Sequence, residues 1–291
     1  MLLLLVLACA PQGPGELLLL PSSQRSGLPG EQGPYGAAWV RASTTARVDE
    51  RLGVEVVFPS DADGWLAEGG PFPVVAFVQG GLVDVEQYRW LHTQLASRGY
   101  LVVAARHPGG LAMLASDDSA IALSAVERWS EREGLLQGAV SPGEPAAILG
   151  HSLGGAVGAI EWVSDERFQY LGLLASFPAD FTPVEEVDRP ALSIVGSADL
   201  VVDHAQVQAG YERLAGPRLY GEVQGLNHHG WFDDPKARDI EKDGPLKGDL
   251  EVLRANATRV VDTFLDAWLL QDQEALNALA TGEFEGVEVS P

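Results

Sequence analysis

Short, continuous apolar runs alternate with amphipathic stretches along most of this chain. The run FPVVAFVQGG (72–81) is almost wholly apolar, VEQYRWLHTQLASRG (85–99) carries apolar residues at helical spacing, and YLVVAARH (100–107) is apolar again. Such alternation is typical of a parallel β-sheet that helices cover on both faces. The chain is therefore predicted to fold as an α/β protein around one central sheet.

The same alternation continues toward the end of the chain. Two β-rich runs at 37–49 and 51–60 precede it and predict an antiparallel opening of the sheet. A long amphipathic helix is predicted over 249–270. Between these segments, the periodicity predicts helices at 119–129, 154–163 and 205–214 and strands at 146–149, 171–175, 191–195 and 219–223.

One connection between predicted strands limits what can cover the sheet. About fifteen residues separate the strand that ends near Ala175 from the strand that begins at Ala191. This length leaves no room for a large cap domain. An active site is therefore expected in an open cleft at the carboxyl ends of the strands, where open α/β sheets bind their ligands.

A single domain is predicted for the folded part of the chain, because the composition does not change between about residue 36 and residue 270. We predict this domain over 35–281 and an acidic tail over 282–291. Residues 11–34 are rich in Pro, Gly and Ser and are predicted to be a tether. Residues 1–10 are predicted to be a signal or lipoprotein leader, since this apolar run is too short to cross a bilayer as a helix.

Cys9 is the only cysteine, so neither an intramolecular disulfide nor a thiolate metal cluster can form. Residues 6–9, Val-Leu-Ala-Cys, resemble the bacterial lipobox, in which the cysteine becomes the lipidated first residue. Cleavage after residues 8–10 is the alternative. The protein is therefore predicted to be exported, either as a bacterial lipoprotein of the periplasm or cell surface or as a secreted protein. Membrane attachment is expected only through a lipidated Cys9.

The net charge argues against some classes of partner. The chain has 41 acidic and 19 basic residues and a net charge of −22. A surface this acidic repels phosphate backbones and anionic lipid head groups. No nucleic-acid partner is therefore expected, and the acidic residues are interpreted as a soluble, self-repelling surface. The sequence does not define an oligomeric state, and a monomer is favoured.

Ser152 lies in the sequence GHSLG at 150–154, which fits the pattern G-x-S-x-G. An apolar strand is predicted before it, and small residues at 154–156, 158 and 159 would let a new helix pack closely on that strand. Glycine on both sides relieves crowding around a serine in strained backbone geometry. We interpret Ser152 as a nucleophile at a strand-to-helix elbow.

A serine nucleophile needs an imidazole that takes its proton, a carboxylate that orients the imidazole, and backbone N–H donors for the tetrahedral intermediate. Asp199 is the predicted carboxylate because it follows a predicted strand, and the alternative, Asp203, is better suited to cap the next helix. The predicted oxyanion donors are Leu153, directly after the serine, and Gly81, in the glycine-containing loop after the first apolar strand.

Five segments resemble recurrent blocks of the α/β-hydrolases, in the order of that family. They look like the cap-less branch that includes dienelactone hydrolases, chlorophyllases, the platelet-activating-factor acetylhydrolase group and polyester-degrading cutinases. The resemblance implies an α/β-hydrolase fold with a Ser-His-Asp triad, but it does not choose a substrate, because this fold serves esters, thioesters, amides and lactones. The segments are PFPVVAFVQGG, LASRGYLVVAARHP, LGHSLGGAV, PALSIVGSADLVV and GLNHHGWFDD, within about residues 35–270.

The resemblance also indicates the base. In α/β-hydrolases the histidine follows the serine and the acid in the chain and comes after the last strand. The segment at 225–234 has three loop residues and then His228, with Trp231 and Phe232 shortly after it, similar to the last triad motif of many esterases. His228 is therefore the predicted base, and the neighbouring His229 is the alternative.

These residues predict an exported serine hydrolase that cleaves small or polymeric carboxylic esters through Ser152, His228 and Asp199 and an acyl-enzyme intermediate. An amidase or peptidase of the same fold and a non-catalytic binding protein are the alternatives. The chemistry implies no metal and no organic cofactor. Aromatic residues in loops near the cleft are candidates for an apolar substrate pocket: Phe177, Phe181, Trp231 and Phe232.

Overall fold

The computed structural model describes residues 30–47, 50–106 and 117–290. The predicted leader with Cys9, the predicted tether up to residue 29 and His107 lie outside these residues. Within the described ranges, every helix is too short or too polar to cross a membrane.

A nine-stranded sheet forms the centre of the described part of the chain. Its strands are β1 (Gly36–Arg47), β2 (Glu50–Ser60), β3 (Val74–Val78), β4 (Leu101–Arg106), β5 (Ala146–His151), β6 (Phe168–Leu174), β7 (Ala191–Gly196), β8 (Arg218–Val223) and β9 (Val287–Ser290). Their order across the sheet is β1-β2-β4-β3-β5-β6-β7-β8-β9. Neighbours from β4 through β8 are parallel, whereas β1 with β2, β2 with β4 and β8 with β9 are antiparallel.

Helices cover both faces of this sheet. They are α1 (Arg89–Ser97), α2 (Asp118–Ser130), α3 (Leu153–Ser164), α4 (His204–Glu212), α5 (Ala237–Ile240), α6 (Leu250–Leu269) and α7 (Gln273–Thr281). Successive residues of a strand point to opposite faces, so Ile148 of β5 packs in the core beneath α2 and α3, whereas Leu149 packs in the core beneath α1 and α6. The predicted α/β architecture, with a mostly parallel sheet between helices, is confirmed.

The connection from β6 to β7 is short and carries a single 3-10 turn, Val184–Glu186. No large cap domain covers the sheet within the ranges that the structure describes. The carboxyl ends of β3, β5, β6 and β7 lie at one edge of the sheet, which is where open α/β sheets bind their ligands.

The predicted acidic tail, residues 282–291, does not stay separate from the domain. Its residues 287–290 form β9, and Val287 lies opposite Val223 of β8. Val287 is 7% exposed and packs in the core beneath α6, so the burial of this valine accounts for the pairing. The sheet therefore extends beyond the predicted domain boundary.

The last residues of the predicted tether also pack against the domain. The backbone N–H of Gly30 donates to Asp262 Oδ2 of α6 at 2.9 Å, and the N–H of Gly33 donates to Ser97 Oγ of α1 at 2.9 Å. Residues 30–34 are thus part of the folded domain, because α1 and α6 supply side-chain acceptors for their backbone.

Glu161 is a buried acid that connects α3 to α2. The residue is 1% exposed, and its carboxylate accepts the backbone N–H of Ala120 at 3.0 Å and of Ser119 at 3.4 Å. These N–H groups lie in the first turn of α2, where they have no partner within the helix, so the carboxylate of Glu161 satisfies them. Burial raises the pKa of Glu161 to about 7.

This raised pKa predicts a pH dependence of stability. Glu161 binds a proton more tightly in the folded than in the unfolded chain, so its contribution is complete below pH 4.5 and is lost as the pH rises through about 7. The difference between the pKa of Glu161 in the folded and in the unfolded chain corresponds to about 3 kcal/mol of unfolding free energy. Glu161→Gln keeps an acceptor and removes the charge, and is expected to flatten this part of the profile, measured by urea unfolding from pH 4.5 to 8. Equal slopes for both proteins would contradict the assignment.

Candidate active site

Ser152 occupies a strained turn between β5 and α3. Its φ is 54° and its ψ is −129°, a conformation that residues with a side chain rarely adopt. The surrounding backbone holds this turn in place. The N–H of Ser152 donates to the carbonyl oxygen of Leu174 at 2.9 Å, and its own carbonyl oxygen accepts the N–H of Gly155 at 2.9 Å and the hydroxyl of Ser176.

The turn allows α3 to lie directly against the end of β3. A Cβ atom added to Gly154 would lie 2.2 Å from the carbonyl oxygen of Val78, so only glycine fits there. In the loop after β3, a Cβ on Gly81 would lie 2.9 Å from Cδ2 of Leu153. The structure thus brings together Gly81 and Leu153, the two predicted oxyanion donors, beside Ser152.

Backbone strain is concentrated around this turn. Four non-glycine residues in the described ranges have positive φ, and three of them follow strand ends at the cleft: Leu82 at 62°, Ser152 at 54° and Ala175 at 47°. Such conformations cost free energy and persist where the surrounding structure enforces them, which is common at functional sites. Their position supports the carboxyl edge of β3, β5 and β6 as the site.

Asp199 and His228 form a hydrogen-bonded pair at the same edge of the sheet. Asp199 follows β7, and its Oδ1 accepts the N–H of Val201 at 2.8 Å and of Val202 at 3.0 Å. Its Oδ2 lies 2.8 Å from Nδ1 of His228, in the 3-10 turn His228–Trp231 after β8. Both residues are buried. The carboxylate thus fixes Nδ1 as the bonded nitrogen and leaves Nε2 to exchange a proton.

The alternative acid, Asp203, has a different role. Its side chain accepts the N–H of Ala205 at 2.9 Å and thereby caps α4, which begins at His204. The side chain of Asp203 is therefore engaged with the helix, whereas that of Asp199 is bonded to a histidine.

The alternative base, His229, has an acid of its own. Its Nδ1 lies 2.9 Å from Oδ2 of Asp243, which also accepts its backbone N–H at 2.8 Å. Burial acts to raise the pKa of Asp243, but these hydrogen bonds hold it below its usual range. The ring of His228 lies 4.5 Å from the ring of His151, the residue before Ser152.

The contact of Asp243 with His229 is not predicted from the sequence. Asp243 lies in the connection between α5 and α6, 14 residues after the histidine it contacts, and belongs to no recognisable motif. Its Oδ1 also accepts the N–H of Leu200 at 3.1 Å. Asp243 therefore joins the loop of Asp199 to the loop of His228, a contact that only the folded chain reveals.

A cavity of about 390 Å³ adjoins Ser152. Its lining is mainly apolar, with a few polar side chains, which suits the carbon chain of a small ligand. Phe177, one of the aromatic candidates, is part of this lining. The lining residues are Ser152, Leu153, Ala156, Ala175, Ser176, Phe177, Ala179, Val201, Val202, Asp203 and Gln206.

The other aromatic candidates lie elsewhere. Phe181 is 78% exposed and does not line the cavity. Trp231 is 1% exposed and Phe232 is 4% exposed, and the ring of Phe232 packs edge-on against His151 at 5.2 Å. Trp231 and Phe232 therefore pack in the core against the histidines instead of lining the cavity.

His92 is not part of this constellation. His92 of α1 is fully buried, and its ring lies 4.6 Å from that of Phe77. Burial and the nearby charge of Arg89 lower the pKa of His92 to about 3, so it is a neutral core residue.

In the described part of the chain, no three His, Cys, Asp or Glu side chains are grouped to hold a metal ion.

Comparison with known proteins identifies a family for this chain. Residues 74–238, more than half of the chain, match the model of a family described as the alpha/beta hydrolase family. No curated protein matches the chain. The matched range runs from β3 through the loop that carries His228.

The close packing at Gly154 can be tested by adding a methyl group. Gly154→Ala is expected to lower the free energy of unfolding by about 1–3 kcal/mol, because the methyl would overlap the carbonyl oxygen of Val78. Gly158→Ala, in the same helix, is the matched control, since its methyl would lie 3.5 Å from Ile148 Cγ1. There, the helix propensity of alanine should stabilise the protein by up to about 1 kcal/mol. Equal effects in urea unfolding would rule out the close approach.

Proposed function

The chain belongs to the alpha/beta hydrolase family, and from this premise we propose that it is a serine hydrolase that cleaves carboxylic esters. The observation that carries the proposal is the buried Asp199–His228 pair, bonded at 2.8 Å, beside the strained turn of Ser152. A carboxylate that orients an imidazole next to a serine at a strand-to-helix turn is the arrangement that acyl transfer requires.

In the proposed reaction, Ser152 Oγ attacks the carbonyl carbon of the ester while its proton passes to Nε2 of His228. Asp199 accepts the hydrogen bond of Nδ1 and stabilises the imidazolium cation. His228 then gives its proton to the leaving alcohol as the C–O bond breaks, and the acyl group remains on Ser152. Water attacks this acyl-enzyme with His228 again as the base, which releases the acid and restores the serine.

The oxygen of the tetrahedral intermediate needs donors fixed in advance. We assign the N–H groups of Leu153 and Gly81 to this role, supported by the 2.9 Å approach that a Cβ on Gly81 would make to Leu153. Loss of one such donor typically lowers the rate by ~10²–10³. The strained φ of Leu82 is consistent with a loop held in one conformation for this purpose.

The cavity beside Ser152 is proposed to hold the acyl chain. Its apolar lining by Ala156, Phe177, Val201 and Val202 would bury methylene groups, each worth about 0.8 kcal/mol. The absence of a large cap over the described residues leaves the cleft accessible, which supports the cap-less branch and admits either small or polymeric esters. An amide substrate would use the same residues, so an ester and amide series decides between them.

Export remains a proposal that rests on the sequence. The apolar residues 1–10 and the lipobox-like segment ending at Cys9 support a lipoprotein, or otherwise a secreted protein. A location outside the cytoplasm is consistent with an enzyme that acts on external esters. The net charge of −22 supports a soluble, self-repelling surface and argues against nucleic acid as a partner.

Ser152→Ala and His228→Ala test the proposed reaction. Each is expected to lower kcat/KM by at least about 10³-fold on p-nitrophenyl acetate, butyrate, octanoate and palmitate, because nucleophile and base act as a unit. His229→Ala is the matched control and should stay within about tenfold of the wild type. An inactive His229→Ala beside an active His228→Ala would move the base by one residue.

A fluorophosphonate probe distinguishes catalysis from mere binding. It is expected to label Ser152 in the wild type and not to label Ser152→Ala, because the probe reacts only with an activated serine. A folded wild type that neither hydrolyses these esters nor takes up the probe would favour a non-catalytic binding protein. Labelling without ester turnover would favour the amidase or peptidase alternative.

Phe177→Ala tests the position of the acyl chain. Removing this ring enlarges the cavity, so the ratio of octanoate to butyrate kcat/KM is expected to rise by about 10-fold. Phe181→Ala is the matched control, since Phe181 is 78% exposed and lies outside the lining. Unchanged ratios in Phe177→Ala, or equal changes in both variants, would place the acyl chain elsewhere.

A further inference from the structure

The hydroxyl of Tyr88 connects the loop after β3 with the turn that carries Ser152. The backbone N–H of Gly80 donates to Tyr88 Oη at 2.9 Å. The same oxygen lies 3.0 Å from Nδ1 of His151, the last residue of β5. Tyr88 and His151 are both fully buried. One hydroxyl therefore joins the loop of Gly81 to the residue before Ser152.

Both members of this pair are neutral. Burial raises the pKa of Tyr88, so its hydroxyl keeps its proton. Burial, together with the charges of His228 and His229 when protonated, holds the pKa of His151 well below its usual range. Because Tyr88 Oη already accepts the N–H of Gly80, its own proton is left to donate to Nδ1 of His151.

The space around Gly80 shows how tightly the loop is held. A Cβ on Gly80 would lie 2.7 Å from Tyr88 Oη and 3.2 Å from Nδ1 of His151. The next residue, Gly81, approaches Leu153 in the same way. Gly80, which is held by Tyr88 and His151, directly precedes Gly81 in the chain. This contact therefore restricts where Gly81 can lie relative to Leu153.

We propose that Tyr88 and His151 are positioning residues that hold the loop of residues 79–82 so that the N–H groups of Gly81 and Leu153 converge on one oxygen. This inference rests on the proposed function, because it assigns those N–H groups to the oxyanion. The ring of His151 also lies 4.5 Å from that of His228, so the same pair packs against the proposed base.

The hydroxyl is not needed for packing. The ring of Tyr88 lies 4.8 Å from Phe77 and 5.4 Å from Phe232, and a phenylalanine would make the same contacts. What the hydroxyl adds is a partner for a buried backbone N–H of the loop, in a segment whose Leu82 has a φ of 62°. A loop with strained geometry needs such a fixed contact to keep a single conformation.

Tyr88→Phe tests the inference, with Tyr100→Phe as the matched control. Tyr100 is also fully buried, and its hydroxyl donates to Asp266, but it precedes β4 at the opposite edge of the sheet. Tyr88→Phe is expected to lower kcat about 10- to 100-fold with KM changed less than about twofold, because donors to the oxyanion act in the transition state. Tyr100→Phe should leave both constants within about twofold of the wild type.

Inhibition separates positioning from general loosening of the fold. A trifluoromethyl ketone adds reversibly to Ser152 Oγ and places an oxyanion in the site, so its Ki should rise in Tyr88→Phe by the same factor as kcat/KM falls. Circular dichroism and urea unfolding confirm that both variants are folded at the assay temperature. Normal kcat and Ki in Tyr88→Phe, or equal losses in both variants, overturn the inference.

The two proposals fail in different ways. An active wild type with an unimpaired Tyr88→Phe overturns only the positioning role and leaves the esterase standing. A wild type that neither hydrolyses esters nor reacts with the fluorophosphonate overturns the proposed function and this inference together. A rise in KM without a fall in kcat would assign Tyr88 to substrate binding instead.

Discussion

The close approach between the ends of β3 and β5 is the constraint on which the candidate site depends. These strands are parallel neighbours, with Val78 opposite Gly150, so their following loops meet. Added Cβ atoms would collide at Gly80, Gly81 and Gly154, with Tyr88, Leu153 and the end of β3 respectively. Glycine at these positions lets two backbone segments lie beside each other at the end of the strands. Asp199 and His228 lie in the loops after β7 and β8, at the same edge of the sheet.

Much of this arrangement can be predicted from the sequence, because local signals carry it. Ser152, Asp199 and His228 each follow a short apolar strand, and strand ends in a parallel sheet meet at one edge. The roles of Tyr88 and Asp243 cannot be predicted from the sequence. Their histidine partners lie 63 and 14 residues away, and no sequence motif indicates either contact. The aromatic candidates show the same limit, since Phe177 and Phe181 have similar sequence surroundings but differ in exposure.

The ends of the domain were hard to predict for a related reason. β9 has four residues, Val-Glu-Val-Ser, and a period of two cannot be recognised reliably over so short a run. Its acidic surroundings at 283–288 resemble a solvated tail, and only the burial of Val287 against the sheet overrides that composition. Residues 30–34 look like a tether because their contacts with α1 and α6 are made by backbone N–H groups, which leave no mark on side-chain pattern.

The short β9 has a consequence for how this molecule meets its own copies. A parallel sheet that ended at β8 would expose a row of unpaired N–H and C=O groups, which recruits further strands and leads to aggregation. β9 covers that row, and it presents in turn a brief edge with the exposed carboxylate of Glu288. A second molecule approaching this edge would find few backbone partners and a charge of its own sign. The strand predicted to be an acidic tail therefore limits edge-to-edge association on the β8 side of the sheet.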